Sequence, residues 1–264
     1  MATFVKRNPG APAGFFGCEA AGLQWLSAAE GGVACARVLD CDDTSLTLVR
    51  LEAVSPTRAA AHEFGRGLAC THDAGAAAFG SPPDGWLGPG FFGPLHEPLP
   101  MSLTGHQRWG AFYARERLAP MVERAAPRLG TATRAAVDAV MSRCDAGDFD
   151  DDDPPARLHG DLWSGNVMWT SEGAVLIDPA AHGGHHETDL AMLALFGCPF
   201  LDEVIAGYQA HRPLRDGWRD RVGLHQLYPL LAHVVLFGGG YERQVRVAAA
   251  NAARIRLSDR GPGR

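Results

Sequence analysis

Residues 158–178, LHGDLWSGNVMWTSEGAVLID, decide how the rest of the chain is read. Gly160 and Gly165 mark His159–Asn166 as a loop. Val167–Trp169 and Ala174–Ile177 are short β-like runs, and Thr170-Ser171-Glu172-Gly173 between them is a plausible hairpin turn. A hairpin brings its two ends together, so Asp178 is expected to return beside Asp161 and Asn166. Two carboxylates and a carboxamide make an all-oxygen set, which suits a hard cation such as Mg2+ better than zinc.

The spacing of His159, Asp161 and Asn166 is H-x-D-x-x-x-x-N, the pattern of a kinase catalytic loop. Phosphoryl transfer needs a carboxylate to orient and deprotonate a hydroxyl, and oxygen ligands to hold a metal on the phosphates. The competing reading is an Asp/Asn-capped hairpin with no chemistry. The catalytic reading gives new weight to Lys6, at the end of the strand-like run TFVK, and to Glu19, near the start of the next helix. Kinase-like enzymes set a strand lysine on the nucleotide phosphates and pair it with a helix glutamate. Otherwise Lys6 is an ordinary surface lysine. Leu51-Glu52-Ala53 falls where two lobes would join, and the backbone of Glu52 and Ala53 is placed to read an adenine edge.

Composition bounds the rest. The 264 residues carry 24 basic and 30 acidic groups, and Lys6 is the only lysine. A net charge of −6 argues against a nucleic-acid or anionic-membrane binder. The N-terminus has no apolar signal core, and the most apolar late stretch, Pro229–Phe237, is too short to span a bilayer. Six cysteines without C-x-x-C or zinc-like spacing fit reduced thiols in a cytoplasmic protein.

Along the chain, the spacing predicts a helix over about 18–29 and β-like runs Val33–Leu39 and Ser45–Leu51, with Asp42-Asp43 turning between them. Ala59–His72 reads as helix. Thr104-x-x-Gln107 reads as a capping box opening a helix with Trp109, Phe112 and Tyr113 on one face, and a further helix covers Ala132–Cys144. The acidic segment 145–155, DAGDFDDDDPP, reads as a solvated linker rather than a metal cluster. Three further helical stretches fill 188–256, and the Arg-rich tail is expected to fray.

With these residues in hand, the chain resembles the fructosamine kinase (ketosamine 3-kinase) family, within the aminoglycoside-phosphotransferase-like kinases. FVKR (4–7), FGCEAAGLQWL (16–26), LHGDLWSGNVMW (158–169) and IDPAAHGGHHETDLAMLALFG (177–197) carry the resemblance. FGRGLACTH (64–72) and WGAFYARERLAP (109–120) extend it to essentially the whole chain. The implied fold is α+β, a two-lobed protein-kinase-like structure. Residues 1–53 would form a small β-rich nucleotide-binding lobe and 54–264 a helical lobe with the catalytic loop and metal site. The implied reaction is ATP-dependent phosphorylation of a sugar hydroxyl of a ketosamine, free or on a glycated amine or protein, as a deglycation repair.

By position, Asp161 would be the catalytic base, Asn166 and Asp178 would bind Mg2+, and Lys6 with Glu19 would anchor the ATP phosphates. Trp163 would pack against the sugar or sit in the core; the two readings are equal. His159 and Asp189 would support the loop, and His182, His185 and His186 would brace the segment after Asp178. A complete kinase small lobe has two strands and a glycine-rich loop before its lysine strand. Only five residues precede Lys6, so those parts are expected to be missing. The alternatives are a kinase for another hydroxylated amine, such as an aminoglycoside, or a degenerate non-catalytic binding protein.

Overall fold

The computed structural model describes residues 2–255, so the expectation for the Arg-rich tail lies outside it. The chain begins with β1 (Thr3–Arg7), α1 (Phe15–Ser27), β2 (Ala34–Cys35), β3 (Val38–Cys41), β4 (Ser45–Val49) and α2 (Arg58–Asp73). A loop region carries β5 (Gly90–Phe92) and β6 (Leu99–Met101). A continuous helical run follows as α3 (Trp109–Phe112), a π-helical turn (Tyr113–Leu118) and α4 (Ala119–Ala125), then α5 (Thr131–Ala146). Next come β7 (Ala156–Leu158), β8 (Val167–Thr170), β9 (Gly173–Leu176) and β10 (His182–Gly184). The helices α6 (Glu187–Leu195), α7 (Leu201–His211), α8 (Trp218–Phe237) and α9 (Glu242–Arg254) complete the described chain. Short sheets and a larger helical part make it α+β. No helix among the described residues is long and apolar enough to cross a membrane.

Two compact units divide these elements. The first holds the described residues of Met1–Gly105 and Pro154–Arg215. Its β1-β4-β3 sheet is antiparallel, with Lys6 opposite Leu46. Leu46 and Leu48 alternate inward along β4 and pack with Phe15, Phe16 and Leu23 of α1, so the period-2 pattern of the sequence becomes one buried sheet face. The Asp42 carboxylate accepts the Thr44 N–H and both the Thr44 and Ser45 hydroxyls, fixing the β3–β4 turn. β8 and β9 form the expected hairpin, and β2 adds to β9 in parallel. That pairing draws residues 34–35 into the hairpin's sheet, so residue 53 is not a boundary between the two units.

The second unit holds the described residues of His106–Asp153 and Asp216–Arg264, that is α3 to α5, α8 and α9. Here three expectations are corrected. The helix starts at Trp109, not at a Thr104 capping box. Thr104 instead bonds Ser102, and the Gly110 N–H is capped by Asp150 Oδ1 at 2.6 Å. Asp150 belongs to the supposed linker, where Asp145 also pairs with Arg115 at 2.7 Å and Asp148 with Arg143 at 3.0 Å. The segment is therefore tied down by specific bonds. Finally, among the described residues four α-helices rather than three follow residue 186, because the chain breaks at 196–200, 212–217 and 238–241.

Candidate active site

All the site residues expected from sequence lie in the first unit. β7 delivers the chain into the loop, and β10 pairs with β7 on the return. His159 is fully buried; its Nε2 meets the Ile177 carbonyl at 2.8 Å, and its Nδ1 accepts the Asp161 N–H at 3.2 Å. The proton therefore sits on Nε2, and burial lowers the ring's pKa, which keeps it neutral. Asp189, in the first turn of α6 and fully buried, accepts the His159 N–H on Oδ2 at 2.8 Å and the Gly160 N–H on Oδ1 at 3.0 Å. Gly160 has φ +82°, and a Cβ there would stand 2.2 Å from the Ala180 carbonyl oxygen, so the loop closes against this segment only with glycine.

The hairpin brings Asp161, Asn166 and Asp178 together as the spacing predicts. Asn166 Nδ2 donates to the Asp161 carbonyl at 2.8 Å, with the Asp161 carboxylate at 3.3 Å and the Asp178 carbonyl at 3.5 Å. The Ile177 N–H donates to the Asn166 carbonyl, which locks the strand ends together. Burial pushes the Asp161 carboxyl up to about 7, with the Asp178 and Asp189 charges adding to the rise and the Asn166 bond opposing it. A carboxylate so placed is poised to exchange a proton near neutral pH. Asp178 has φ +55°, a left-handed backbone uncommon outside glycine, and its half-exposed carboxylate turns to Lys6.

Lys6 Nζ donates to Glu19 Oε1 at 2.5 Å and to Asp178 Oδ1. Burial works against the lysine's charge, but the Glu19 and Asp178 carboxylates outweigh it and leave its pKa raised. The surviving lysine thus bridges the helix glutamate and the hairpin aspartate. A hard cation fits the same corner. The Asn166 amide nitrogen is committed to Asp161, which leaves its oxygen for a metal, and Asp178 adds a carboxylate reachable from solvent. Glu52 and Ala53 are exposed just beyond β4, where the Val54 N–H donates to the Trp169 carbonyl at 2.8 Å.

Trp163 is 40% exposed, so it is not a core tryptophan. Its indole lies over Gly165, whose Cβ would fall 2.1 Å from the ring, and meets Phe196 edge-on. The three histidines after Asp178 have different partners. His182 Nδ1 meets the Ala180 carbonyl, His185 Nδ1 accepts the Glu187 N–H, and His186 Nδ1 lies 3.4 Å from Arg212. Two residues escaped the sequence reading. His72 of α2 reaches Asp189 through Nε2 at 3.3 Å and Tyr208 of α7 through Nδ1 at 2.8 Å. No motif spacing announces a contact between residues this far apart; only the FGRGLACTH segment hinted at His72.

Comparison with known proteins points to one family. The family model for fructosamine kinase matches residues 1–253. A protein of Enterococcus faecium named a probable ketoamine kinase is 32% identical over 251 residues, covering 92% of this chain and 85% of that one. A second of that name, from Synechocystis, is 33% identical and covers 96% of this chain and 83% of its own. The crystal structure of a candidate fructosamine-3-kinase from Thermobifida fusca superposes with a TM-score of 0.86 at 46% identity, over 96% of this chain and 86% of that one. The aminoglycoside phosphotransferase APH(4)-Ia, at TM-score 0.56 and 17% identity, shares the fold. The chain therefore belongs to the fructosamine kinase family and is a phosphotransferase with a hydroxyl group as acceptor.

Proposed function

We propose that this kinase uses Asp161 to take the proton from the 3-hydroxyl of a ketosamine as that oxygen receives the γ-phosphoryl group of ATP. Lys6, held by Glu19, anchors the nucleotide phosphates, and its release from Asp178 on nucleotide binding leaves that carboxylate free. Mg2+, when bound by Asp178 and the Asn166 oxygen, supplies charge neutralisation on the phosphates. Glu52 and Ala53 present backbone groups to the adenine edge, within a nucleotide-binding part formed by residues 1–53. Trp163 offers an exposed indole face to the sugar, and His159 and Asp189 hold the loop. The acceptor is a small ketosamine or a glycated amine on a protein. A cytoplasmic location accords with six free cysteines, the state a reducing compartment maintains.

The observation that carries this reading is the meeting of Asp161, with its pKa near neutrality, and the Asn166–Asp178–Lys6 corner. The relatives' names, ketoamine kinase and ketosamine-3-kinase, favour the ketosamine acceptor. The aminoglycoside and non-catalytic alternatives have no such support. Purified protein given Mg2+, ATP and a fructosamine or ribulosamine is expected to release one ADP per phosphorylated ketosamine, and Asp161→Ala to release none. Turnover of aminoglycosides with no turnover of any ketosamine would overturn the acceptor assignment.

A further inference from the structure

Helices α2 and α7 touch backbone to backbone. A Cβ on Gly65 would lie 1.9 Å from the Val204 carbonyl oxygen, and one on Gly207 would lie 1.9 Å from the His62 carbonyl oxygen. Glycine at both positions lets the helices approach this closely, and the crossing fixes their register. His72 lies about two turns beyond Gly65 on the same face of α2, and Tyr208 follows Gly207 directly. The approach therefore places the Tyr208 ring edge-on to His72, centroids 5.5 Å apart, with both side chains buried.

Donor and acceptor logic gives this contact a direction. The Asp189 carboxylate only accepts, so His72 Nε2–H donates to it, and with a neutral ring His72 Nδ1 accepts the Tyr208 hydroxyl proton. Asp189 Oδ2 holds both His72 and the His159 N–H, while Oδ1 holds the Gly160 N–H. The rotation of one carboxylate thus sets two consecutive backbone amides immediately before Asp161. A carboxylate held only by those amides could turn with the loop. Held also from behind by His72, it acts as a fixed post.

We propose that His72 and Tyr208 are positioning residues of the phosphoryl transfer. The chain Tyr208–His72–Asp189 sets the orientation of the catalytic loop and hence of the Asp161 carboxylate. This inference rests on the reading of Asp161 as the base. It goes beyond packing because it assigns the effect to the Nε2–H donor, which a side chain of similar size lacks.

The test compares His72→Leu, which removes the donor, with His72→Gln, whose amide nitrogen reaches the same place, and with Tyr208→Phe. For each, kcat, KM for ATP and for the ketosamine, and amide hydrogen exchange across residues 158–163 are measured on the full chain. His72→Leu is expected to lose about tenfold or more in kcat with both KM values within about twofold. It is also expected to speed exchange at His159 and Gly160. His72→Gln restores most of both, and Tyr208→Phe costs about threefold in kcat. If His72→Leu does not fold, His72→Asn, which is too short to reach Asp189, replaces it against His72→Gln. Equal kcat and equal exchange in the donor-lacking and donor-bearing variants would overturn the proposal. Separately, wild-type turnover by Asp161→Asn would overturn the base assignment alone, since the exchange measurement reads the loop without any turnover.

Discussion

The acidic segment 145–155 and the candidate catalytic stretch 158–178 are neighbours in sequence, the first with six aspartates and the second with two. In the first, the Asp145 carboxylate is exposed; its hydrogen bond and charge pairing with Arg115 lower its pKa. In the second, burial raises Asp161 to about 7, with the Asn166 carboxamide donating to its carboxylate at 3.3 Å. One residue type thus titrates in opposite directions. The difference teaches that solvent access and the sign of the nearest partner decide which way a carboxylate titrates. The number of aspartates in a stretch does not.

The strongest way to sharpen this contrast is to remove the cation that pairs with Glu19 and Asp178. Lys6→Met is expected to cut kcat/KM for ATP by about a hundredfold or more, with the fold retained by circular dichroism. Arg115→Met, which strips the cation from Asp145, is expected to leave kcat/KM within about twofold. A comparable loss in both variants would break the comparison.

The pH profile comes next. As a base, Asp161 works when ionised, so kcat/KM for the ketosamine is expected to fall about tenfold per unit as pH drops below about 7. It should level off above that value. A profile flat from pH 5 to 8 would contradict a raised carboxyl.

The smallest effect is on stability. The folded chain keeps a proton on Asp161 from about pH 4 to about 7, where the unfolded chain has lost it. Stability from this group is therefore present below the unfolded pKa and falls as pH rises through 7. Asp161→Asn is expected to raise Tm by a few degrees at pH 8 and to converge on wild type near pH 4. The lowered Asp145 has the reverse sign, contributing above its unfolded pKa and losing that contribution as pH falls. Asp145→Asn is expected to shift Tm by under about one degree at pH 8. Thermal melts at both pH values check both signs.

The hairpin and the convergence at its ends were legible because the loop glycines, the turn and the three polar residues lie within 21 consecutive positions. The Lys6–Glu19 pair could be read as well, since a single lysine in an arginine-rich chain stands out and its partner lies on the next helix. The cap on the α3 N-terminus could not be read. Thr104 has the right side chain at the right spacing, yet Ser102 engages it, and the cap on Gly110 comes from Asp150, 40 residues beyond that glycine. His72 and Tyr208 were hidden for the same reason, being separated by 136 positions. Local spacing sees a residue's near neighbours and cannot see which distant side chain wins the competition for its hydrogen bonds. The left-handed backbone of Asp178 also leaves no mark in the sequence, because aspartate tolerates many other conformations.

The parallel pairing of β2 with β9 has a mechanical consequence. The stretch between Ala34 and Val54 is stitched to the β8–β9 hairpin at both ends. The Ala36 N–H bonds the Leu176 carbonyl at one end, and the Val54 N–H bonds the Trp169 carbonyl at the other. If the β1-β4-β3 sheet swings over a bound nucleotide, those stitches act as fixed pivots. The bending would then fall on Arg37 and on residues 50–53, and a proline at Arg37, away from the backbone of Glu52 and Ala53, would stiffen the motion.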